Sequence, residues 1–283
     1  MSMRDGAATA GPAIRSLVRQ TFSDWELVLI DDGSRDEGAE RVAEFCDPRI
    51  RIVRHAESKG LACRLNEAVE LARGEFIARM DIDDICYPER LAEQVGLLRS
   101  DPGLDLVASK ALVFRRRGEI MGVMSTPTTH DEIVARPYRG FIFPHPTWCG
   151  KAAWFRKYRY DESMRITQDQ ELLLRSAPSS RFAAVDKILL GYRKERMDIS
   201  KSIRGRTLYS RAIWRHARRS GAYARSVAGI LLHFSKAAAE IAATGLGAEE
   251  WLLKRKLPSL TPEDAAQWRA VWSEMTNTNN GRR

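Results

Sequence analysis

Three carboxylates stand within four residues at Asp81-Ile82-Asp83-Asp84. So close together they repel one another unless a cation neutralises them, and hard ions such as Mg2+ or Mn2+ prefer carboxylate and phosphate oxygens. In an extended segment residues i and i+2 point the same way, so Asp81 and Asp83 can face one ligand. Alone, such a cluster also fits an ordinary acidic turn. Asp31-Asp32 precedes Gly33-Ser34. That pair suits a turn capped by Ser34, or a carboxylate accepting the imide N–H of a uracil-type base. Arg64, in the helix start Gly60 to Asn66, is either a solvated residue or a cation beside a diphosphate. Asp169 lies ahead of the apolar stripe Leu172-Leu173-Leu174. An acid there favours the helix dipole or serves as a general base.

These residues need elements to hold them. WELVLID (25–31) reads as a buried parallel strand. A helix over 37–46 stops before Pro48, and a strand follows over 50–53. Apolar residues at 61, 65, 68, 69 and 72 predict a helix, 74–81 reads as another strand, and Pro88 opens a helix to Ser100. Strand–helix alternation implies an α/β fold with a mostly parallel sheet covered by helices. Ligands in such sheets bind beyond the carboxyl ends of the strands. Asp31-Asp32 and Asp81 to Asp84 are therefore expected at one edge. After residue 103 the pattern predicts a β-hairpin (104–124), a short helix (130–135), a shaped loop (141–148), a helix (168–175) and a strand (185–192). Met1-Ser2-Met3 runs at once into a polar turn, so the first strand is expected to be shortened to its last few residues, as if the start were placed late.

Charge divides the chain. Residues 201–283 hold 15 Lys+Arg against 6 Asp+Glu, whereas residues 1–200 hold 31 of each. Such asymmetry argues for an anionic partner at the C-terminal end. His233, Lys236 and Glu240 interrupt an otherwise apolar stretch at helical spacing, which predicts an amphipathic helix. It either packs on the rest of the chain or lies on an anionic membrane surface. No nucleic-acid motif accompanies the charge. The four cysteines are widely spaced and form no CxxC pair, as expected of free thiols in a reducing cytoplasm. No signal peptide and no spanning helix is expected.

In order and combination these features resemble the inverting family 2 glycosyltransferases of bacterial type, over about residues 4 to 202. The resemblance rests on Ser16 through Gln20-Thr21 to Glu26, Asp31-Asp32-Gly33-Ser34, and Gly60 to Asn66. It continues through Asp81 to Asp84, Pro88-Glu89-Arg90-Leu91, His145-Pro146, Gln168 to Arg175 and Tyr192-Arg193. Two departures stand out: Asp5 replaces a usual Asn, and Gln168 replaces a usual acid.

The resemblance implies a GT-A fold. Residues 1–200 would form the catalytic domain, donor-binding over 1–100 and acceptor-binding over 101–200, with 201–283 a basic helical extension. It implies transfer from a nucleotide-diphosphate sugar, a UDP-sugar first, to a glycan or lipid-linked acceptor. Asp169 would be the base and Asp83 the ligand of Mn2+ or Mg2+. Asp81 and Asp84 would assist, or Asp81 would contact the ribose. Asp5 would lie by the nucleoside, Asp32 on the base, Arg64 by the phosphates and His145 on the acceptor side. The implied location is the cytoplasm, with peripheral contact at the inner face of the membrane. A related binding module without catalysis is the alternative.

Overall fold

The computed structural model describes residues 1–195, 198–246, 257–258 and 260–277. The first half is built on three parallel strands, β1 (Ser2–Met3), β2 (Leu27–Asp31) and β3 (Ile50–Arg54), in that order across the sheet. β2 is buried throughout, as its unbroken apolar run requires. β1 is as short as expected; Ser2 stands opposite Ile30 and Met3 opposite Asp31. The helices α1 (Ala10–Val18), α2 (Gly38–Ala43) and α3 (Leu61–Leu71) cover this sheet.

Two polar residues quoted in the sequence pattern are fasteners. Ser16 Oγ accepts from the Cys86 amide at 3.0 Å. The Gln20 side chain donates to Tyr87 O at 2.7 Å and accepts from Leu91 N at 2.9 Å. They tie α1 to the segment that follows the acidic cluster.

The 74–81 segment is the joint between two sheets. Its strand, β4 (Phe76–Ala78), pairs antiparallel with β8 (Cys149–Lys151), and three residues on Asp81 bridges in parallel to Ser2. The second sheet runs β4-β8-β6-β9-β5, with β5 (Ile85–Cys86), β6 (Leu106–Arg115) and β9 (Phe182–Arg193). The expected hairpin is β6 with β7 (Glu119–Met124), and β6 pairs in parallel with β9. α4 (Arg90–Ser100), α5 (His130–Val134), α6 (Ala152–Lys157) and α7 (Gln168–Ser176) complete this part.

Beyond residue 198 the described chain is helical: α8 (Ile199–Ser220), α9 (Tyr223–Gly245) and α10 (Pro262–Thr276). The extension shares the core of the first 200 residues. Tyr209, Ala212 and Ile213 join Leu172, Leu173 and Phe141 in one cluster, and Trp268, Val271 and Met275 join Tyr87 and Phe114 in another. Residue 200 thus marks a change in charge and secondary structure without dividing the core.

Candidate functional site

The joint between the sheets carries the acidic cluster. Carboxylate oxygens of Asp81, Asp83 and Asp84 lie within 4.8 Å of one another. Asp84 is fully buried; its Oδ1 accepts from the Arg193 amide at 2.9 Å, while Oδ2 has no hydrogen-bond partner among the described residues. A buried, unpartnered carboxylate oxygen is costly. Burial, then Asp81 and Asp83, push the Asp84 carboxyl well above the usual carboxylate range. Burial and Asp81 raise Asp83 as well. A divalent cation would satisfy the orphaned oxygen and remove the mutual repulsion, so these residues fit a hard metal ion.

Asp81 already has a counter-ion. Arg79, buried on the same strand segment two residues earlier, holds it at 2.6 and 2.7 Å. Arg90, also buried, secures this geometry by donating to Arg79 O at 2.6 Å and Pro146 O at 2.9 Å. Arg79 was not among the residues singled out from sequence. Its signal was legible: a cation in a mostly apolar strand segment, two residues before Asp81 and so on the same face.

Asp169 sits in the first turn of α7. Thr167 before it adopts a left-handed backbone (φ 61°), a strained conformation for a β-branched residue, and redirects the chain into the helix. Burial raises the Asp169 carboxyl, against a weaker lowering by Gln170 and Arg79. The Tyr160 phenol is buried. Its titration is raised by burial, which Arg79 partly opposes, and Asp169 and Asp81 add smaller increases.

His145, expected on the acceptor side, is buried. Its Nε2 lies 2.8 Å from Tyr160 Oη, and its ring packs edge-on against Trp148. Burial, with Arg79 second, holds it well below the usual histidine range, so it is neutral.

Two residues expected to bind the donor are bonded to each other, with Arg64 Nε donating to Asp32 at 2.7 Å. Asp32 accepts from Ser58 Oγ, Lys59 N, Gly60 N and Arg64 Nε at 2.7–2.9 Å. Four donors match the acceptor sites of an ionised carboxylate. Burial would raise this carboxyl, but the four hydrogen bonds outweigh it and hold it low. Arg64 likewise donates to Asp32, Glu67 and Glu57 O. Together they clasp the loop in front of α3, which Gly60 enters at φ 90°. Asp5, left-handed at φ 53°, is exposed at the end of β1 and accepts from the Arg35 amide at 2.8 Å. A cavity of about 570 Å³ borders Val28, Phe76 and Ala78. None of the clustered acids line it, but Arg79, Arg90 and Tyr160 do.

A parallel nucleotide-type half joined to a mixed half, with acids clustered at the joint, defines a sugar-nucleotide transferase class of fold. The sequence profile described as glycosyl transferase family 2 matches residues 3–159, more than half of the chain. The chain belongs to that family.

Among its relatives, a putative glycosyltransferase EpsE of Bacillus subtilis is 31% identical over 166 residues, 58% of this chain and 59% of its own length. The chain thus spans about three fifths of that relative. An Escherichia coli protein named UDP-Glc:alpha-D-GlcNAc-diphosphoundecaprenol beta-1,3-glucosyltransferase WfgD is 38% identical over 90 residues, 32% of this chain and 36% of its own. The solved structure of S. aureus TarS 1-349 with UDP superimposes with TM-score 0.64 over 97% of this chain and 78% of that one. At 16% identity this likeness shows the GT-A fold.

Proposed function

We propose that this chain transfers a sugar from a nucleotide-diphosphate donor, a UDP-sugar first, to a glycan or lipid-linked acceptor with inversion. The observation that carries this reading is the Asp81-Asp83-Asp84 cluster, whose carboxylate oxygens lie within 4.8 Å of one another with Asp84 Oδ2 unpartnered among the described residues. UDP in the TarS complex and the donor and acceptor in the name of WfgD support the same classes of substrate.

Asp169 takes the proton of the acceptor hydroxyl as that oxygen attacks the anomeric carbon, and the nucleoside diphosphate leaves from the opposite face. The raised Asp169 carboxyl is a stronger base than an exposed one. Asp83 and Asp84 would hold Mn2+ or Mg2+, which when bound supplies charge neutralisation at the leaving diphosphate. Arg79 keeps Asp81 fixed and compensated, and Arg193 braces the cluster through Asp83 O and Asp84 Oδ1.

The test is nucleotide release by the purified chain from UDP-, GDP- and dTDP-sugars, with Mn2+, Mg2+ or chelator. Release from at least one donor, lost on chelation and lost in Asp83→Ala, is the expected result. No release from any donor with either metal rejects the reading.

A further inference from the structure

Two polar residues of α9 face inward, while Arg225, Ser235 and Lys236 are exposed. His233 and Glu240 are buried. His233 Nε2 lies 3.1 Å from Tyr138 O, and Glu240 accepts from Arg206 at 2.6 Å and from Ser202 at 2.8 Å. The apolar side is turned out: Val227, Leu231, Phe234 and Ile241 are 45%, 64%, 57% and 54% exposed. They recur at helical spacing along one stripe. Trp214 of α8 and Tyr223 of α9 stack edge-on at 6.0 Å near the hairpin tip, each about half exposed. Single exposed apolar residues need no explanation, whereas a contiguous stripe does.

Charge decides what covers it. Residues 199–246 hold nine Lys or Arg and one acid, Glu240, which is buried against Arg206. Arg211, Arg218, Arg219 and Arg225 are exposed alongside the stripe-bearing hairpin. A second copy of the same face would bring like charges together, whereas an anionic surface complements them. Exposed interfacial aromatics beside basic residues fit a lipid headgroup layer.

By length and composition α9 could cross a bilayer. The contacts on its inner face argue for a flat disposition. Glu240 and His233 pin it to the protein, and at Gly229 a Cβ would stand 2.6 Å from Tyr138 Cβ. We infer that the outer face of the α8–α9 hairpin docks flat on an anionic lipid surface, with Val227, Leu231, Phe234 and Ile241 buried among the acyl chains. The inner face of the same hairpin reaches the catalytic side. Gly205 packs on Ile166 and Thr167, two residues before Asp169, and Tyr209 Oη donates to Pro137 O at 2.5 Å. Docking therefore holds Asp169 close to a lipid-borne acceptor.

This deepens the proposed function and rests on its lipid-linked acceptor, so binding is measured with the full chain and no donor or acceptor present. Flotation with phosphatidylcholine vesicles, with and without phosphatidylglycerol, reads it directly. Wild type should float with the anionic vesicles and be released by salt. The double variant Leu231→Glu/Phe234→Glu should lose at least about tenfold in partitioning, since each side chain buries a sizeable apolar area. Both positions are exposed, so its thermal midpoint should match wild type; Arg211→Glu/Arg218→Glu should also weaken binding. Failure of wild type to float, equal flotation without phosphatidylglycerol, or undiminished flotation of the double variant overturns the proposal. So does a stable dimer that the double variant dissolves. None of these outcomes bears on nucleotide release from sugar donors, which tests the reaction separately.

Discussion

Arg79 grips Asp81 through both guanidinium termini, with Nη1 donating to Oδ2 at 2.7 Å and Nη2 at 2.6 Å from Oδ1. The arginine is buried and Asp81 is partly so. A fork of this kind fixes one carboxylate of the cluster before any cation arrives. Its removal leaves Asp81 without this partner, with Arg193 the cation still acting on Asp83.

Arg79→Ala should therefore lower the stability of the metal-free chain by about 3–5 kcal/mol, the usual cost of breaking a buried ion pair from one side. Mn2+ should restore more stability to the variant than it adds to wild type, because Asp81 becomes free to meet the cation. Thermal melts with and without Mn2+ give both numbers. An equal metal-induced shift in the two proteins would place Asp81 outside the cation site.

Asp169→Asn should lower transfer by about 10²–10⁴-fold while leaving metal-dependent nucleotide binding intact. The pH dependence has two opposed parts. Burial raises the folded-state carboxyl above its unfolded value. Activity needs the ionised form, so transfer should fall as pH drops through that raised value. Stability runs the other way: the folded state holds the proton more tightly, so this contribution is present at low pH and is lost as pH rises through the folded value. The Asn variant should thus be inactive yet at least as stable as wild type at neutral pH. Full transfer in the variant refutes the base assignment.

The elements were more legible in the sequence than the roles of individual side chains. Apolar runs and helical spacing placed β2, β3, α3, α4 and the β6–β7 hairpin, because each buries one face in a regular period. The acidic cluster was legible because charge so dense has few solvated explanations. What the sequence left open was hydrogen-bond capacity. Asp32 and Asp83 look alike in a string of letters, but four local donors surround one and the other lies beside an unpartnered Asp84 oxygen. The facing of α9 was hidden for a similar reason. His233 and Glu240 find partners inside, on Tyr138 and Arg206, that lie about a hundred and about thirty residues away in sequence.

The Asp32 clasp yields its own test. Asp32→Asn places an amide N–H2 against groups that already donate, so a buried acceptor is lost and donors are orphaned. The variant should be less stable by about 3–5 kcal/mol in urea melts, with wild-type preference among UDP, GDP and dTDP. The pH signature differs from that of Asp169. Hydrogen bonding holds the Asp32 carboxyl below its unfolded value, so its stabilisation is present above the unfolded value and is lost as pH falls toward the folded one. A folded variant with altered nucleotide preference would return Asp32 to the base-binding role.

Asn66 closes the chain of support from α3 to the reaction centre. Its Oδ1 accepts from Tyr160 N at 2.9 Å and its Nδ2 donates to Tyr160 O at 3.0 Å, so the amide side chain pairs with Tyr160 as a neighbouring strand would. Nδ2 also reaches Glu162 at 2.9 Å. Tyr160 in turn carries the hydroxyl that meets His145. Asn66→Asp keeps the shape, removes both donations and sets a negative charge beside Glu162. The expected cost is about 1–3 kcal/mol of stability. Since Asn66 touches neither the acidic cluster nor Asp169, donor KM should change little and kcat should fall as Tyr160 shifts. Steady-state kinetics separate the two, and an unchanged kcat in a destabilised variant would make the Asn66–Tyr160 pair a matter of folding alone.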